Sequence, residues 1–341
     1  MTPDIEQSFR YDAILVVSFG GPEGMDDVLP FLENVLRGRN VPRERMMGVA
    51  KHYEMFGGVS PINEQNRKLI AALQESLSTN GPDLPIYFGN RNWHPLLAAT
   101  LEQMKADGIK RALALVTSAY SSYSSCRQYL ENIAQAQAAV GEGAPRIEKL
   151  RAFYNHPLFI QANAENIASA FNQIPAPQRT SAPLVFTAHS IPQSMADNCA
   201  YQAQLEESGR LIAESIGRTN WRLVYQSRSG PPTQPWLGPD ILTNLRELSA
   251  AGAKDVVVAP IGFVSDHMEV LYDLDTEARS LSAELGLNLV RAPTVGTHPR
   301  FIEMIRELIL ERMASTSERR SLGLRGVAPD VCALDCCLPK T

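Results

Sequence analysis

The chain lacks the marks of the commoner soluble catalysts. No GxxxxGKS/T run occurs, so nucleotide phosphates are not held by a loop of that type. There is no GxSxG turn to present a nucleophilic serine and no HExxH helix to hold zinc. FGGPEG, after the first apolar run, lacks the GxGxxG order of a dinucleotide site. Positive charge is short as well: 32 Lys and Arg stand against 37 Asp and Glu, a net charge of −5, which gives no basic field for nucleic acid. No stretch approaches the ~18 uninterrupted apolar residues of a membrane span. The opening MTPDIEQSFRYD is polar and acidic where a signal peptide is basic and then apolar. A cytoplasmic protein with no integral membrane segment is expected. Cysteine is scarce, five residues in 341: Cys126, Cys199, and three crowded near the end at Cys332, Cys336 and Cys337. In a reducing compartment such a group points to metal or cluster binding before disulfides.

What is present is an ordinary globular composition, 44% hydrophobic and 20% charged. Short β-branched runs alternate with amphipathic helical stretches, the pattern of an α/β protein with parallel sheets. Strands are expected at Ala13–Ser18, Leu84–Phe88, Arg111–Thr117, Pro183–Thr187, Arg222–Tyr225, Asp255–Ala259 and Asn288–Arg291. Their nearly continuous apolar character suits strands covered on both faces. Helices are expected over Pro95–Asp107, Asp240–Ala251 and Phe301–Ala314. The chain also echoes itself. LEQMKADGIKRALALV resembles LRELSAAGAKDVVVAP, each with a glycine (Gly108, Gly252) where a helix would end in a left-handed residue. Upstream, AILVVSFGGP pairs with LVFTAHSIP, and IYFGNRNWHP with LVYQSRSGPPTQPW. Two similar α/β halves follow, unless these are just generic helix-to-strand units.

In open parallel sheets, ligands bind where loops leave the C-terminal strand ends. Those loops here are SFGGP, GNRNWHP, TSAYSSYSSC, TAHSIP, QSRSGPPTQPWLGP and GFVSDHMEV, all rich in polar residues. His189 lies in TAHSIP, and SDHMEVLYDLDTE carries Glu269, Asp273 and Glu277. A spacing of four sets the three carboxylates along one helical ridge. Such a row is either a solvated acidic face or a path that hands on cations or protons. Asp266 and His267 begin the same element and could orient the first ligand or base, with Asp266 also a candidate for the relay.

Six runs in register, SFGGP, GGVSPINEQ, GNRNWHP, TAHSIP, QSRSGP…PWLGP and GFVSDHMEVLYDLD, resemble the ferrochelatases over nearly the whole chain. The resemblance implies α/β architecture with two similar Rossmann-like domains whose parallel sheets flank a porphyrin cleft. It implies a lyase of haem biosynthesis, which takes Fe²⁺ as substrate and releases two pyrrole protons. The domains expected are residues 1–155 and 156–296, a helix at 297–320 packing back on the first, and a cysteine-bearing tail at 321–341. His189 and Glu269 match the family's catalytic, metal-facing pair, with base and ligand roles interchangeable, and Asp273 and Glu277 match its further acids. The porphyrin contacts it implies are Phe19, Arg37, Arg39, Tyr53, Ser60, Arg91, Tyr123 and Trp236, with Trp93 on the ring edge or in the core. Phe19 stands where relatives carry Tyr or Met; it cannot ligate iron, which leaves ring stacking as its role and iron held from the His189 side.

Relatives acting on protoporphyrin at membranes carry a longer apolar insertion where this chain has only LRGRNVPRERMMGVAKHYEMF, short and basic. A polar lip without grease favours coproporphyrin III, giving coproheme, with protoporphyrin IX as the alternative; His52, where some coproporphyrin-type members have arginine, argues the other way. Some members hold a 2Fe–2S cluster on one internal and three C-terminal cysteines, which Cys126, Cys332, Cys336 and Cys337 match in kind, against a free tail; Cys199 is left as structural. The partners implied are a porphyrin and ferrous iron, for a monomer or homodimer. Competing readings are a chelatase for cobalt or nickel, and a non-catalytic two-domain protein closing on a small anion or tetrapyrrole.

Overall fold

The computed structural model describes residues 11–38, 41–231, 233–313 and 318–339. They form two compact units. The first gathers the chain up to Thr117, Gln128–Arg151 and Ile305–Arg319; the second gathers Ser118–Arg127, Ala152–Met304 and the chain from Arg320 onward.

The first unit is built on four parallel strands, β1 (Ala13–Ser18), β2 (Ile86–Asn90), β3 (Arg111–Val116) and β4 (Arg146–Lys149), in the order β2-β1-β3-β4. All six residues of β1 are buried, as its unbroken apolar run requires of a strand covered on both faces. Leu97, Leu101 and Met104 of the helix Leu97–Ala106 and Ile133 and Ala136 of Gln128–Val140 close one face. The second unit repeats the plan with β5 (Leu184–His189), β6 (Trp221–Gln226), β7 (Asp255–Ala259) and β8 (Asn288–Arg291), ordered β6-β5-β7-β8. Both sheets therefore share one strand order, the topology that a repeated half would produce. Gly108 and Gly252, at φ +78° and +88°, end equivalent helices in the left-handed region where a Cβ is disfavoured.

The expected α/β class with parallel sheets holds, and three strands depart from expectation by two residues or more. Strand β4, RIEK, escapes a search for apolar runs because it is an edge strand with no fully buried residue, and edge strands carry charge. Strand β2 starts two residues later than expected and runs on through Asn90, paired with Ser18. Strand β5 extends to His189, in register with Gln226.

The end of the chain lies on the second unit through two buried polar side chains. Asn155 donates to the Leu322 and Gly326 carbonyls at 3.0 and 2.9 Å. Glu207, on the helix Tyr201–Ser215, accepts from Leu324 N at 2.8 Å and pairs with Arg325 at 3.2 Å. Gly323 is at φ +77°, and a Cβ there would meet the Glu207 carboxylate at 2.0 Å, so the turn tolerates no side chain.

Candidate active site

In the second unit β5 is an interior strand, and its last residue, His189, stands at the C-terminal edge of the sheet. The backbone there is held from two sides: Tyr201 OH donates to the His189 carbonyl at 3.1 Å, and Gly262 N donates to Thr187 O at 3.0 Å. A Cβ on Gly262 would come within 2.6 Å of Ala188 Cα, so only glycine lets the loop after β7 lie against the end of β5. The imidazole Nδ1 is hydrogen-bonded to the Ser190 carbonyl. A carbonyl can only accept, so Nδ1 carries the proton and Nε2 is turned outward. Nε2 lies 3.5 Å from Glu269 Oε1. The His189 side chain is 32% exposed and Glu269 46%.

Glu269 enters on a segment whose start is capped by His267, the Nδ1 of which accepts from Glu269 N at 3.1 Å. Phe263 packs edge-on to the His267 ring at 4.7 Å. His267 Nε2 is 4.0 Å from the other Glu269 oxygen, and burial holds this imidazole below its ordinary range.

The acids do not ride an ordinary α-helix, as their spacing of four had led us to expect. Leu271–Ala278 is π-helical, with a wider turn closed by i to i+5 bonds. The buried positions Val270, Leu274 and Ala278 are spaced by four like the acids, which over two turns an α-helix also allows, so the sequence does not announce the wider turn. Asp273 is engaged by Gln226 Nε2 at 3.3 Å and by the Ser227 hydroxyl. The same Gln226 amide donates to Glu269 O at 3.1 Å. Ser227 sits at φ 61°, an uncommon conformation for a residue with a Cβ, at the turn that sends its hydroxyl to Asp273. Glu277, exposed, is tied to Tyr272. Asp266 is paired with Arg291 at 3.0 Å. Neither Gln226, Ser227 nor Arg291 was singled out from sequence, although each is a polar residue directly at the end of an apolar strand.

Charge in this group is shared along a line. Burial works against a charged His189, but the Glu269 carboxylate outweighs it and pushes the imidazole up to about 9. Burial likewise disfavours ionised Glu269, yet His189 draws it down to about 2. Asp273 has no cation of its own; burial, with Glu269 and Glu277 adding to it, pushes its carboxyl up to about 7. A carboxyl raised from the usual 3.8 is ionised in the unfolded chain first, so the native state is progressively penalised as pH rises from about 4 to about 7. Asp273→Asn should therefore stabilise the metal-free protein by an amount that grows over that interval and is flat above it, on the order of 1–3 kcal/mol at pH 8. Urea unfolding of both proteins at pH 5 and pH 8 checks this; an equal difference at the two pH values would contradict it.

The expected porphyrin contacts are placed as follows. Phe19 and Arg91 directly follow β1 and β2 of the first unit; the Arg91 guanidinium lies 5.7 Å from the Phe19 ring and 4.5 Å from that of Tyr129. Tyr53 and Trp93 pack on Phe31 at 5.8 and 6.2 Å, and Trp93 donates to Asp27 at 3.2 Å. Ser60 is buried under Gly21, where a Cβ would strike it at 2.6 Å. Arg37 bonds to Asn34 on the surface, and Arg39 lies outside the described residues. The basic interval forms a helix, Arg43–Glu54, that buries Met46 and Ala50. It is less polar outside than its composition suggested: Val49 and Met55 are exposed apolar residues, as are Met25 and Val59 on either side of the interval in sequence. In the second unit Tyr123 opens a short π-helical turn to Arg127, and Trp236 covers Gly230, where a Cβ would meet its indole at 2.0 Å.

Cys126, in that turn, and Cys337 are both buried. Arg127 donates to the Leu334 and Cys336 carbonyls at 2.7 and 3.2 Å and so holds the tail beside the turn. The Cys336 and Cys337 sulfurs are 3.5 Å apart, and burial, with Cys336, Cys126 and Cys199 adding to it, holds the Cys337 thiol well above its ordinary range. Two thiolates on one tetrahedral metal with bonds of ~2.3 Å stand about 3.8 Å apart, so this pair suits a shared ion. Among the described residues no three His, Cys, Asp or Glu side chains are grouped so as to hold a metal ion.

Two four-stranded parallel sheets of one strand order give a chelatase-like fold. The sirohydrochlorin chelatase of Bacillus subtilis subspecies spizizenii, solved with cobalt, shares the fold at a TM-score of 0.52 over 89% of this chain and 96% of that one, with 12% identity. The family model named Ferrochelatase matches residues 11–313. A protein named ferrochelatase from Rhodopirellula baltica is 61% identical over 96% of this chain and 93% of its own length. A coproporphyrin III ferrochelatase from Streptomyces coelicolor is 50% identical over 98% and 95%. The chain belongs to the ferrochelatase family, a family of lyases. No helix among the described residues is long and apolar enough to cross a membrane.

Proposed function

We propose that the protein inserts Fe²⁺ into coproporphyrin III, with His189 and Glu269 as the reacting pair and Asp273 and Glu277 as the route for protons or metal. The observation that carries this is the outward Nε2 of His189, 3.5 Å from Glu269, with a carboxyl titrating near neutrality behind it. Insertion forms metal–nitrogen bonds as two pyrrole N–H bonds break, so the site must meet a cation and accept two protons. Bonding of Nδ1 to Ser190 leaves Nε2 as the nitrogen that can give up its proton and then present a lone pair, as in histidines that ligate metals. Between them His189 and Glu269 hold one proton at neutral pH, which an approaching metal displaces. Asp273 can take up a proton and release it again because its affinity lies near the working pH. Exposed Glu277 completes the path to water. Asp266 is committed to Arg291 and is better placed to hold the segment than to carry protons.

Coproporphyrin III is favoured over protoporphyrin IX by the relatives of that name and by the short basic interval between the first loop and Gly57. Steady-state insertion under anaerobic conditions should give kcat/KM at least about tenfold higher for coproporphyrin, as for a site built for extra carboxylates. Equal values, or a preference for protoporphyrin, would reject this choice. Cys126, Cys332, Cys336 and Cys337 would hold a 2Fe–2S cluster, two thiolates to each iron. Such a cluster supplies one-electron redox capacity and a covalent tie between the tail and the Cys126 turn. A brown preparation with roughly two iron and two sulfide per chain is expected.

A further inference from the structure

We propose that Arg291, remote in sequence from the reacting pair, is a positioning residue that sets where Glu269 and Asp273 stand relative to His189. The inference rests on the assignment of Glu269 to the reacting pair. Arg291 ends β8, the strand beside β7, and its side chain is only 14% exposed. Its guanidinium takes both oxygens of Asp275, Nε at 2.7 Å and Nη2 at 2.9 Å, and reaches Asp266 with Nη1 at 3.0 Å. Those two aspartates bracket the segment that carries Glu269 and Asp273. Asp266 precedes the His267 cap, and Asp275 lies inside the π-helical turn.

The segment needs such a bracket. A π-helical turn is rare and is not favoured by backbone geometry alone. Its inner face buries Val270, Leu274 and Ala278, none of which reaches the sheet edge with a directional bond. Gln226 holds it at Glu269 O and at Asp273 from the β6 side. Arg291 supplies the corresponding hold from the opposite side of the sheet, since β6 and β8 are its two edges. The fork geometry matters: a bidentate bond to Asp275 fixes orientation as well as distance, which a lysine cannot reproduce. A reacting carboxylate displaced by about 1 Å can lose two orders of magnitude in rate, so a side chain that touches no substrate can still govern turnover.

The test compares wild type with Arg291→Lys, Arg291→Met and the gentler Asp275→Asn, which removes one leg of the bracket and is the variant to rely on if Arg291→Met does not fold. Arg291→Met should lower kcat for iron insertion about thirtyfold or more while the KM for porphyrin stays within about twofold. Arg291→Lys and Asp275→Asn should each lose less, in the same sense. Amide exchange across residues 267–275 should quicken about tenfold in all three variants relative to β5 and β7 in the same molecules. Wild-type kcat per folded molecule in Arg291→Met and Asp275→Asn, or exchange that quickens uniformly over the unit, would overturn the proposal and leave Arg291 a mere staple. Should the wild type metalate no porphyrin at all, the function assigned above fails by itself, while the exchange comparison still decides whether the bracket holds the segment.

Discussion

His189→Ala should lower the turnover of iron insertion about a thousandfold, within the range that a positioned acid–base group contributes, and should leave the fold intact. The second half of that expectation follows from where the side chain sits. It is at the last position of β5, partly exposed, and the fixing bond from Tyr201 goes to its backbone carbonyl, which alanine keeps. The loss of activity has two parts. Nε2 disappears as proton acceptor or metal ligand, and Glu269 loses the cation that holds its carboxyl down against burial. Glu269 should then titrate higher, so the acid limb of the variant's residual pH–rate profile should move to higher pH. Porphyrin affinity should change by no more than about twofold, because an interaction made with the metal and the leaving protons belongs to the transition state. Rates over pH 6–9 with wild type and variant, together with porphyrin titration, check each part. A loss of less than tenfold would remove His189 from the reacting pair.

The parts of the fold legible in the sequence were those with an unambiguous burial signature. AILVVS and DVVVA could only be strands covered on both faces, and the glycines at 108 and 252 could only end helices. His189 stood out as a candidate because it closes such an apolar run, and Glu269 because it shares a segment with two further acids. Strand β4 was hidden because an edge strand needs no apolar run. The π-helical turn was hidden for another reason: over two turns, acids and buried residues both spaced by four fit one face of an α-helix equally well. Arg291 gave only the weak signal of a charge closing an apolar strand, since what defines it is the pair of aspartates 16 and 25 residues upstream that it joins. Ser60, a candidate porphyrin contact from its motif, is buried under Gly21, a packing that its own neighbours in sequence do not announce.

The largest effect on stability is expected far from this chemistry, at Glu311. Its carboxylate receives two bonds from Arg151, Nε at 2.7 Å and Nη2 at 2.8 Å, and the two side chains are 4% and 1% exposed. Arg151 follows β4, and Glu311 lies near the end of the helix Pro299–Met313, so the pair ties that helix to the edge of the first sheet. Arg319, half-exposed at 3.7 Å, reaches the same carboxylate but cannot replace the fork. Desolvating both charges consumes most of what their attraction returns, so the pair adds little compared with a well-packed apolar pair. Removing one member is a different matter, because the guanidinium stays buried without its counter-charge. Glu311→Ala should cost about 3–5 kcal/mol. In a chain of this size that corresponds to a melting temperature lower by roughly 6–15 °C. The double variant Arg151→Met with Glu311→Leu should recover most of the loss, since it removes the stranded charge and refills the space. High salt should change the single variant's deficit little, because ions screen such a buried group poorly. Urea unfolding of wild type and of the single and double variants measures all three quantities. A double variant as unstable as Glu311→Ala would show that the paired geometry itself, and not the avoidance of a stranded cation, holds the helix in place.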